Sequence, residues 1–339
     1  MEFIESGQAR TNSYLNIINS SRLNTFLNTT IDKDSLPFIS HQIGKVRDVY
    51  LFNDFVVIIT TDRQSAFDRN LASVPFKGRV LNLTSKWWFE QTAHIVPNHF
   101  IASPHPNITI GKKCSVFPIE FVVRGYLTGS TSTSILVNYN SGMRRYCGHL
   151  LPDGMVKNQK LSENLLTPTT KDEHDELISA DEIISSGRMT LEDWSICEKY
   201  SLELFKFSQA KALEKGFILV DTKYEFGKDG DGNIILIDEL QTPDSSRYWI
   251  ASSYEERLKE GLEPENIDKE FLRKWYVANS NPYEDETLPE APPDLVNELA
   301  RRYILIYEVL TGNNFSFEEP EHDLTTSIRS IYSNFDRNK

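Results

Sequence analysis

The sequence has few cysteines, no recognisable secretory signal and no long hydrophobic run. Its three cysteines are widely spaced, at positions 114, 147 and 197, and form no metal-ligand pattern, which favours a reducing compartment. The first ten residues contain no basic stretch followed by an apolar core. The longest apolar runs, such as 55–59 and 234–237, have strand length and are too short to cross a bilayer. We therefore expect a cytoplasmic protein without a membrane partner.

Positive charge is also scarce, since the net charge is −13 over 339 residues. Such a balance argues against general affinity for nucleic acid or for an anionic membrane. Any anionic ligand must therefore bind in a local basic pocket. The sequence gives no indication of the oligomeric state.

The length allows a large core and two subdomains. Periodic patterns predict strands at 44–51, 55–60 and 119–123 and helices at 79–93, 192–215, 271–278 and 295–310. Because the strands occur in groups and do not alternate with the helices, the pattern predicts an α+β fold. Residues 125–190 read as a long functional loop region. The first 35 residues are polar, with a helix predicted near 14–27, and the tail after residue 313 is predicted to be peripheral.

Residues 220–227 and 234–239 predict a hairpin around a turn rich in glycine and aspartate. Alternation places Asp221, Lys223 and Glu225 on one face. If Gly227 pairs with residue 234, Lys223 lies opposite Asp238, and three carboxylates converge with one ammonium group. Such a cluster suits a hard divalent cation held against phosphate oxygens. The alternatives are an exposed hairpin with charge pairs, and a one-residue slip that turns Asp238 to the other face.

Two further segments carry candidate anion ligands. Lys45 and Arg47 are predicted to share one strand face beside Gly44, which lets the backbone approach a polyphosphate. Arg124 ends a predicted strand and is followed by a glycine-rich loop that reaches Ser130, a combination that suits phosphate. A solvated strand edge and a structural arginine are the respective alternatives.

Polar groups also follow other predicted strands. Residues 61–68 come directly after a buried strand and form either one wall of a ligand site or a capped turn. Residues 166–175 bring a lysine, a histidine and an aspartate into an irregular segment. Ser246 and Arg247 follow the Asp238 strand and are placed to hold another anion beside the metal cluster. Together these features predict an enzyme that uses ATP and a phosphorylated second substrate.

The motifs that carry these residues resemble the SAICAR synthetase family, the phosphoribosylaminoimidazole-succinocarboxamide synthases. The matching strings run in order from about residue 44 to residue 312: GKVRDVY, TTDRQSAFD, PIEFVVRGYLTGS, LTPTTKDEHDE, VDTKYEFG, DELQTPDSSRYW and FLRKWY. The resemblance implies an N-terminal antiparallel β domain and a larger α+β domain, related to ATP-grasp and kinase-like folds. It implies domain bounds of 1–35, 36–118, 119–312 and 313–339, the first and last segments having no catalytic role.

The resemblance also implies a reaction. ATP, a carboxylated aminoimidazole ribotide (CAIR) and L-aspartate would give ADP, phosphate and SAICAR in purine biosynthesis, with Mg²⁺ as cofactor. The remaining alternatives are a small-molecule kinase of related fold and an inactive nucleotide-binding protein.

Site roles follow from the same resemblance. Gly44, Lys45 and Arg47 would face the ATP phosphates, and Glu225 and Asp238 would hold Mg²⁺. Residues 115–120 would form the hinge beside adenine, with Phe117 and Glu120 contacting the nucleotide. Asp221 and Lys223 would face the imidazole ring and its carboxylate, and together with Lys45 and Arg47 they are the implied catalytic residues. The implied ligands of the ribotide phosphate or of aspartate are Arg124, Ser130, Ser246 and Arg247, with Lys171 and Asp175 as further substrate contacts.

Overall fold

A computed structural model describes residues 2–172, 175–267 and 269–336 of the chain. The helices are α1 (Glu2–Asn12), α2 (Leu15–Ser20), α3 (Lys77–Thr92), α4 (Ile135–Asn140), α5 (Ala180–Ser185), α6 (Leu191–Glu214), α7 (Ala251–Lys259), α8 (Glu270–Asn279), α9 (Pro293–Thr311) and α10 (Leu324–Asp336). The strands are β1 (Ser40–Ile43), β2 (Arg47–Leu51), β3 (Phe55–Thr60), β4 (Arg63–Ala66), β5 (Arg69–Ser73), β6 (Phe100–His105), β7 (Ile108–Lys112), β8 (Ser115–Val116), β9 (Ile119–Tyr126), β10 (Arg145–Tyr146), β11 (His149–Leu150), β12 (Lys160–Leu166), β13 (Thr169–Thr170), β14 (Phe217–Lys228), β15 (Ile234–Ile237) and β16 (Ser246–Ile250).

The N-terminal half contains a five-stranded antiparallel sheet in the order β1-β2-β3-β7-β6. The apolar residues of β3 explain its central place, because Val57 and Ile59 are fully buried. They pack in one cluster with Tyr50 of β2, Ile110 of β7 and Ile328 of α10. The predicted strand at 55–60 is therefore confirmed as a core strand.

The second sheet is built around β14, a strand of twelve residues. Strand β9 pairs along one part of it, β16 and β15 pair with successive parts, and β8 joins near its end. Tyr224 and Phe226 point into a core shared with Leu204 and Phe205 of α6. This core leaves the alternate residues of β14 for the opposite face, where the polar groups lie. The mixed helices and antiparallel sheets confirm the predicted α+β class.

Helix α6 shows that an apolar pattern with helical spacing can determine where a long helix begins and ends. It was predicted at 192–215 and spans Leu191–Glu214, with Trp194 and Cys197 buried against the sheet. Thr190 caps its first turn, and Gly216 follows it with φ +83°, a conformation that glycine adopts without strain. The prediction for this helix is confirmed to within one residue at each end.

The two ends of the chain belong to the core. Ile4 in α1 and Ile18 in α2 are buried, and both helices pack along α9. In α10 the apolar residues Leu324, Ile328, Ile331 and Tyr332 follow helical spacing and join the core of the first sheet. The prediction that the tail after residue 313 is peripheral is therefore wrong. The tail is polar in overall composition, but these apolar residues lie on one side of α10 and are buried or partly buried.

None of the described helices is both long and apolar enough to cross a bilayer. The three cysteines, Cys114, Cys147 and Cys197, are free thiols. Burial raises the pKa of Cys114 to about 11 and that of Cys147 to about 12, so both are thiols at neutral pH.

The N-terminal helices provide a test of this packing. Ile18→Ala should lower the free energy of unfolding by about 2–5 kcal/mol, because a fully buried side chain is removed and leaves a cavity. Leu23→Ala is the matched control, since Leu23 is 94% exposed in the same segment and should change stability by less than about 0.5 kcal/mol. Chemical denaturation of the full chain measures both. Equal effects would contradict the assignment of α2 to the core.

Candidate active site

One aspartate in the middle of β14 stands between two arginines. Asp221 is paired in register with Arg124 of β9 on one side and with Arg247 of β16 on the other. Its Oδ2 accepts a hydrogen bond from Arg247 and lies 3.6 Å from a terminal nitrogen of Arg124. Arg124 also donates to the hydroxyl of Thr167 at 2.9 Å. The sheet therefore holds two guanidinium groups at a fixed spacing around one buried carboxylate.

Two residues further along β14, Lys223 joins a second charged group. Its Nζ lies 2.7 Å from an oxygen of Glu120 and 2.7 Å from an oxygen of Glu225. Lys171 pairs with the other oxygen of Glu225. Burial acts to lower the pKa of Lys223, but the nearby carboxylates of Glu225 and Glu120 outweigh burial and raise it. Lys223 is therefore a permanent cation between two carboxylates.

The first sheet contributes Arg47 to the same region. Its guanidinium lies 2.9 Å from a carboxylate oxygen of Asp238 and 3.2 Å from one of Glu239. Although burial tends to raise the pKa of Asp238, the charges of Arg47 and Lys223 outweigh it and lower that pKa. The ring of His99 lies against the Asp238 carbonyl, with Nε2 3.2 Å from the oxygen, and burial lowers the pKa of His99 to about 4. This side of the site is therefore anionic, with a neutral histidine beneath it.

We name Glu120, Glu225, Asp238 and Glu239 the acidic cluster. It faces three cations, Arg47, Lys171 and Lys223, so the group carries one excess negative charge. Within the described ranges no three His, Cys, Asp or Glu side chains form a closed metal cage. Mg²⁺ does not need such a cage, because it takes one or two carboxylates together with phosphate oxygens and water. The donor set therefore fits Mg²⁺ bound through Glu225 and Asp238.

The route by which Asp238 reaches this cluster differs from the predicted one. Gly227 pairs with Ile235, one residue away from the expected Ile234, so the predicted register is wrong. Strict alternation would then turn Asp238 away from Lys223. The strand ends at Ile237, however, and Asp238 has a φ of +68°, in the left-handed region. Because alternation stops there, its carboxylate faces Arg47 and influences Lys223.

A cavity of about 180 Å³ lies beside Lys223 and beside Asp221 with its two arginines. Its walls come from β9, β14, β16 and the start of α8, and include Thr222 and Ser246, whose hydroxyls lie 2.7 Å apart. Five cations line it: Arg124, Lys223, Arg247, Lys269 and Arg273. Three carboxylates line it as well: Asp221, Asp244 and Glu270. We name this space the cationic cavity, because its lining attracts a substrate with several negative charges.

A buried ion pair supports the floor of the cationic cavity. Lys77 of α3 is fully buried, and its Nζ lies 2.6 Å from Oδ2 of Asp244. The hydroxyl of Tyr303 in α9 donates to Oδ1 of the same carboxylate at 2.6 Å. Lys77 also donates to the carbonyl of Arg63. This network joins both halves of the chain beneath the cavity.

Lys45 does not lie beside Arg47. The predicted strand 44–51 begins only at Arg47, and Gly44 closes a tight turn through a 2.9 Å bond from its N–H to the Arg47 carbonyl. A Cβ at position 44 would lie 2.3 Å from that oxygen, so only glycine fits there. Lys45 extends from the turn and pairs with the exposed Asp68. The prediction that Lys45 and Arg47 share a strand face is wrong.

The other predicted groups are distributed around these two centres. Phe117 donates its N–H to the Phe226 carbonyl at 3.0 Å and packs on the core, while Glu120, predicted beside the nucleotide, points to Lys223. Ser130 lies at the rim, 3.4 Å from Glu270 and 3.5 Å from Arg273. Asp175 is close enough to Glu120 to raise its pKa, after the larger effect of burial. His174, in the predicted segment 166–175, lies outside the described residues.

The segment after β3 passes through Thr61 and Asp62 into strand β4, which pairs with β5. Asp62 accepts hydrogen bonds from the N–H groups of Gly78 and Phe26, at 2.9 and 2.8 Å, and so holds the start of α3 and the N-terminal segment. Burial raises the pKa of Asp62 to about 6, although these hydrogen bonds favour its charged form. The capped turn, one of the two alternatives for residues 61–68, is therefore wrong, because Arg63–Ala66 form strand β4, which pairs with β5. The other alternative, one wall of a ligand site, stays a prediction.

Sequence reasoning missed Lys77, Glu239, Asp244, Lys269 and Arg273. Three of these lie in or beside strings already recognised, DELQTPDSSRYW and FLRKWY, so their position next to known motifs was the available signal. Lys77 and Lys269 had no such signal, because single lysines at helix starts are ordinary surface residues.

Comparison with known proteins identifies the family of the chain. The family model described as SAICAR synthetase matches residues 40–289. A relative named phosphoribosylaminoimidazole-succinocarboxamide synthase, chloroplastic, from Arabidopsis thaliana is 61% identical over 83% of this chain and 69% of its own length. A synthase of the same name from Legionella pneumophila (strain Paris) is 57% identical over 85% of this chain and 93% of its own.

Solved structures lead to the same family. The SAICAR synthase of Saccharomyces cerevisiae, in complex with SAICAR, superposes with a TM-score of 0.71 at 32% identity and covers 85% of this chain and 99% of that one. These relatives are ATP-dependent carbon–nitrogen ligases, and the identities place this chain in the same enzyme class. The chain belongs to the SAICAR synthetase family.

Proposed function

We propose that the chain joins L-aspartate to the carboxylate of CAIR through an acyl phosphate, with release of ADP and phosphate and formation of SAICAR. The observation that carries this proposal is the position of Lys223, which pairs with two members of the acidic cluster and also lines the cationic cavity. A nucleotide with its metal at the cluster and an anionic ribotide in the cavity would meet at this residue.

The chemistry needs such a meeting point. A carboxylate is a poor acylating agent, so the γ-phosphoryl group of ATP is first transferred to one of its oxygens and ADP leaves. The amine of aspartate then attacks the carbonyl carbon, and phosphate departs with that oxygen. No enzyme nucleophile is required, so catalysis rests on positioning and on charge stabilisation. Lys223 and Asp221 would orient the ring and carboxylate of CAIR.

Mg²⁺ would be held by Glu225 and Asp238. When bound, it neutralises charge on the ATP phosphates. Arg47 would keep Asp238 oriented and stabilise the charge that develops on ADP. Lys45 would bind the phosphates from its turn beside Gly44, and its exposed pair with Asp68 costs little to exchange, because surface ion pairs contribute at most about 1 kcal/mol. Residues 115–120, including Phe117, would lie beside adenine.

The cationic cavity would hold the other anionic groups. We assign the ribotide phosphate to Arg124, Arg247 and Ser130, and place Ser246 beside them. Lys171 and Asp175 would contact substrate at the edge of the acidic cluster. The division into segments 1–35, 36–118, 119–312 and 313–339 stays a prediction. So does a cytoplasmic location, since one plant relative is named chloroplastic.

Removal of one metal-binding carboxylate tests the acidic cluster. Glu225→Gln and Asp238→Asn should each lower turnover by roughly 10²-fold or more, the scale of one strong electrostatic contact in a site. Asp231→Asn is the control, because Asp231 lies in the exposed turn between β14 and β15. The rate of ADP release at limiting Mg²⁺ is the measurement. Near-normal rates in both cluster variants would rule out this metal site.

Arg124→Ala tests the phosphate assignment. It should weaken ribotide binding about 10- to 100-fold, because a hydrogen bond to a charged group contributes about 1.5–3 kcal/mol. Binding of ATP to the free enzyme should change little. Arg145→Ala, which removes an exposed arginine, serves as the control in the same calorimetric titrations. Loss of ATP affinity with ribotide affinity intact would mean that the two anion sites have been exchanged.

An isotope experiment tests the acyl phosphate. If ¹⁸O is placed in the CAIR carboxylate, one labelled oxygen should appear in the released phosphate when aspartate completes turnover. That transfer requires a bond between the carboxylate oxygen and phosphorus. A simple kinase would keep the label in its phosphorylated product. Label found wholly in the organic product would refute the route, even if SAICAR forms.

A further inference from the structure

The proposed ligation requires a proton acceptor, because aspartate carries an ammonium group at neutral pH and only the free amine attacks a carbonyl carbon. The acceptor must reach the cationic cavity, where both aspartate carboxylates would also find counter-ions. Within the described ranges, no histidine lines this cavity. The search for a base therefore turns to its lysines and carboxylates.

Almost every charged group in the cavity already has a partner. Asp221 binds Arg124 and Arg247, and Lys223 binds Glu120 and Glu225. Arg273 lies 3.6 Å from Glu270 on the same helix. A carboxylate is a weak base toward an ammonium group, and a cation that binds it weakens it further. These carboxylates serve as orienting groups, not as proton acceptors for an amine.

Lys269 is the exception. It stands at the position just before α8 and lines the cavity, and no carboxylate of the described residues lies within 4.0 Å of its Nζ. Asp244, which lines the same cavity, has both oxygens engaged, one by Lys77 and one by Tyr303. Within the described part of the chain Lys269 therefore has no ion pair of its own, although the charge of Asp244 acts on it.

We propose that Lys269 accepts the proton from the α-ammonium group of L-aspartate, a role that rests on the proposed function. The neutral Nζ takes one ammonium proton, and the amine nitrogen then forms its bond to the acyl carbon. The bond from that carbon to the phosphate oxygen breaks, and the electron pair leaves with phosphate. A second proton passes from nitrogen to the departing phosphate. Lys269 returns its proton to water before the next cycle.

The surroundings of Lys269 favour its neutral form. Burial lowers its pKa most, and Arg273 and Lys77 lower it further, while Asp244 and Glu239 oppose the shift without reversing it. The N-terminal end of α8 adds partial positive charge in the same place. A lysine that is desolvated beside other cations is poised to act as a base. Lys223, which lines the same cavity, is instead kept charged by the carboxylates of Glu225 and Glu120.

The test distinguishes a lysine that accepts a proton from a lysine that only supplies positive charge. Lys269→Arg places a permanently protonated group at this position, which cannot accept a proton, so it should lower kcat for aspartate about 10²- to 10⁴-fold, the range of general-base catalysis, with little change in the KM for aspartate. Hydroxylamine replaces aspartate in a parallel assay. Because it is already a neutral amine at pH 7, hydroxamate formation from CAIR and ATP should fall less than about tenfold. Retained hydroxamate formation also shows that the variant is folded.

The pH profile gives a second readout. In the wild type, kcat with aspartate should fall as pH decreases through the pKa of Lys269 in the complex, because the protonated amine accepts nothing. With hydroxylamine that acidic limb should be absent. Lys259→Arg, at an exposed position in α7, should leave both profiles unchanged.

Other outcomes overturn the proposal. An active Lys269→Arg variant, with kcat for aspartate within about threefold of the wild type, would exclude a base. So would Lys269→Gln if it raises the KM for aspartate and leaves kcat, which would make Lys269 an anion ligand. Equal loss of both amine reactions in the arginine and glutamine variants, with ATP affinity retained, would also count against it. Failure of the wild type to move ¹⁸O into phosphate would instead refute the proposed function itself.

Discussion

The site depends on the charged face of β14 and on the way its neighbours neutralise it. A buried carboxylate such as Asp221 is tolerable only because two strands bring arginines to it in register. Removal of one partner from a buried pair costs about 3–5 kcal/mol, while the intact pair adds little net stability. The arrangement therefore fixes geometry more than it stabilises the fold. Further along the same strand, β14 positions Lys223 and then Glu225, which is a member of the acidic cluster.

Local alternation was predictable, and long-range register was not. The shared face of Asp221, Lys223 and Glu225 follows from a period of two, which any strand obeys. The position of Asp238 depends on how many residues the turn consumes and on one left-handed φ, and neither is encoded in the alternation. The expected proximity to Lys223 was right although the register behind it was wrong. Two errors, in pairing and in alternation, cancelled.

Contacts between residues that are far apart in the sequence could not be predicted from local patterns. Lys77 and Asp244 lie 167 residues apart, and nothing in either local pattern marks a buried pair. The terminal helices contribute only a few apolar residues each, so their composition reads as polar although Ile4 and Ile328 are in the core. Conversely, the long helix α6 was predictable almost to the residue, because its apolar stripe, its threonine cap and its glycine end all agree.

The internal ion pairs also explain how a protein with net negative charge accepts anionic substrates. Asp221 pairs with Arg124 and Arg247, and the acidic cluster pairs with Arg47, so each of these cations is held in place without like-charge repulsion. We expect an entering phosphate or carboxylate to share these cations and to meet groups whose orientation is already set. Such preorganisation lowers the cost of ordering the site when substrate binds. Lys269 has no comparable partner within the described ranges and its pKa is lowered by burial, and these two features together support its proposed role as a proton acceptor.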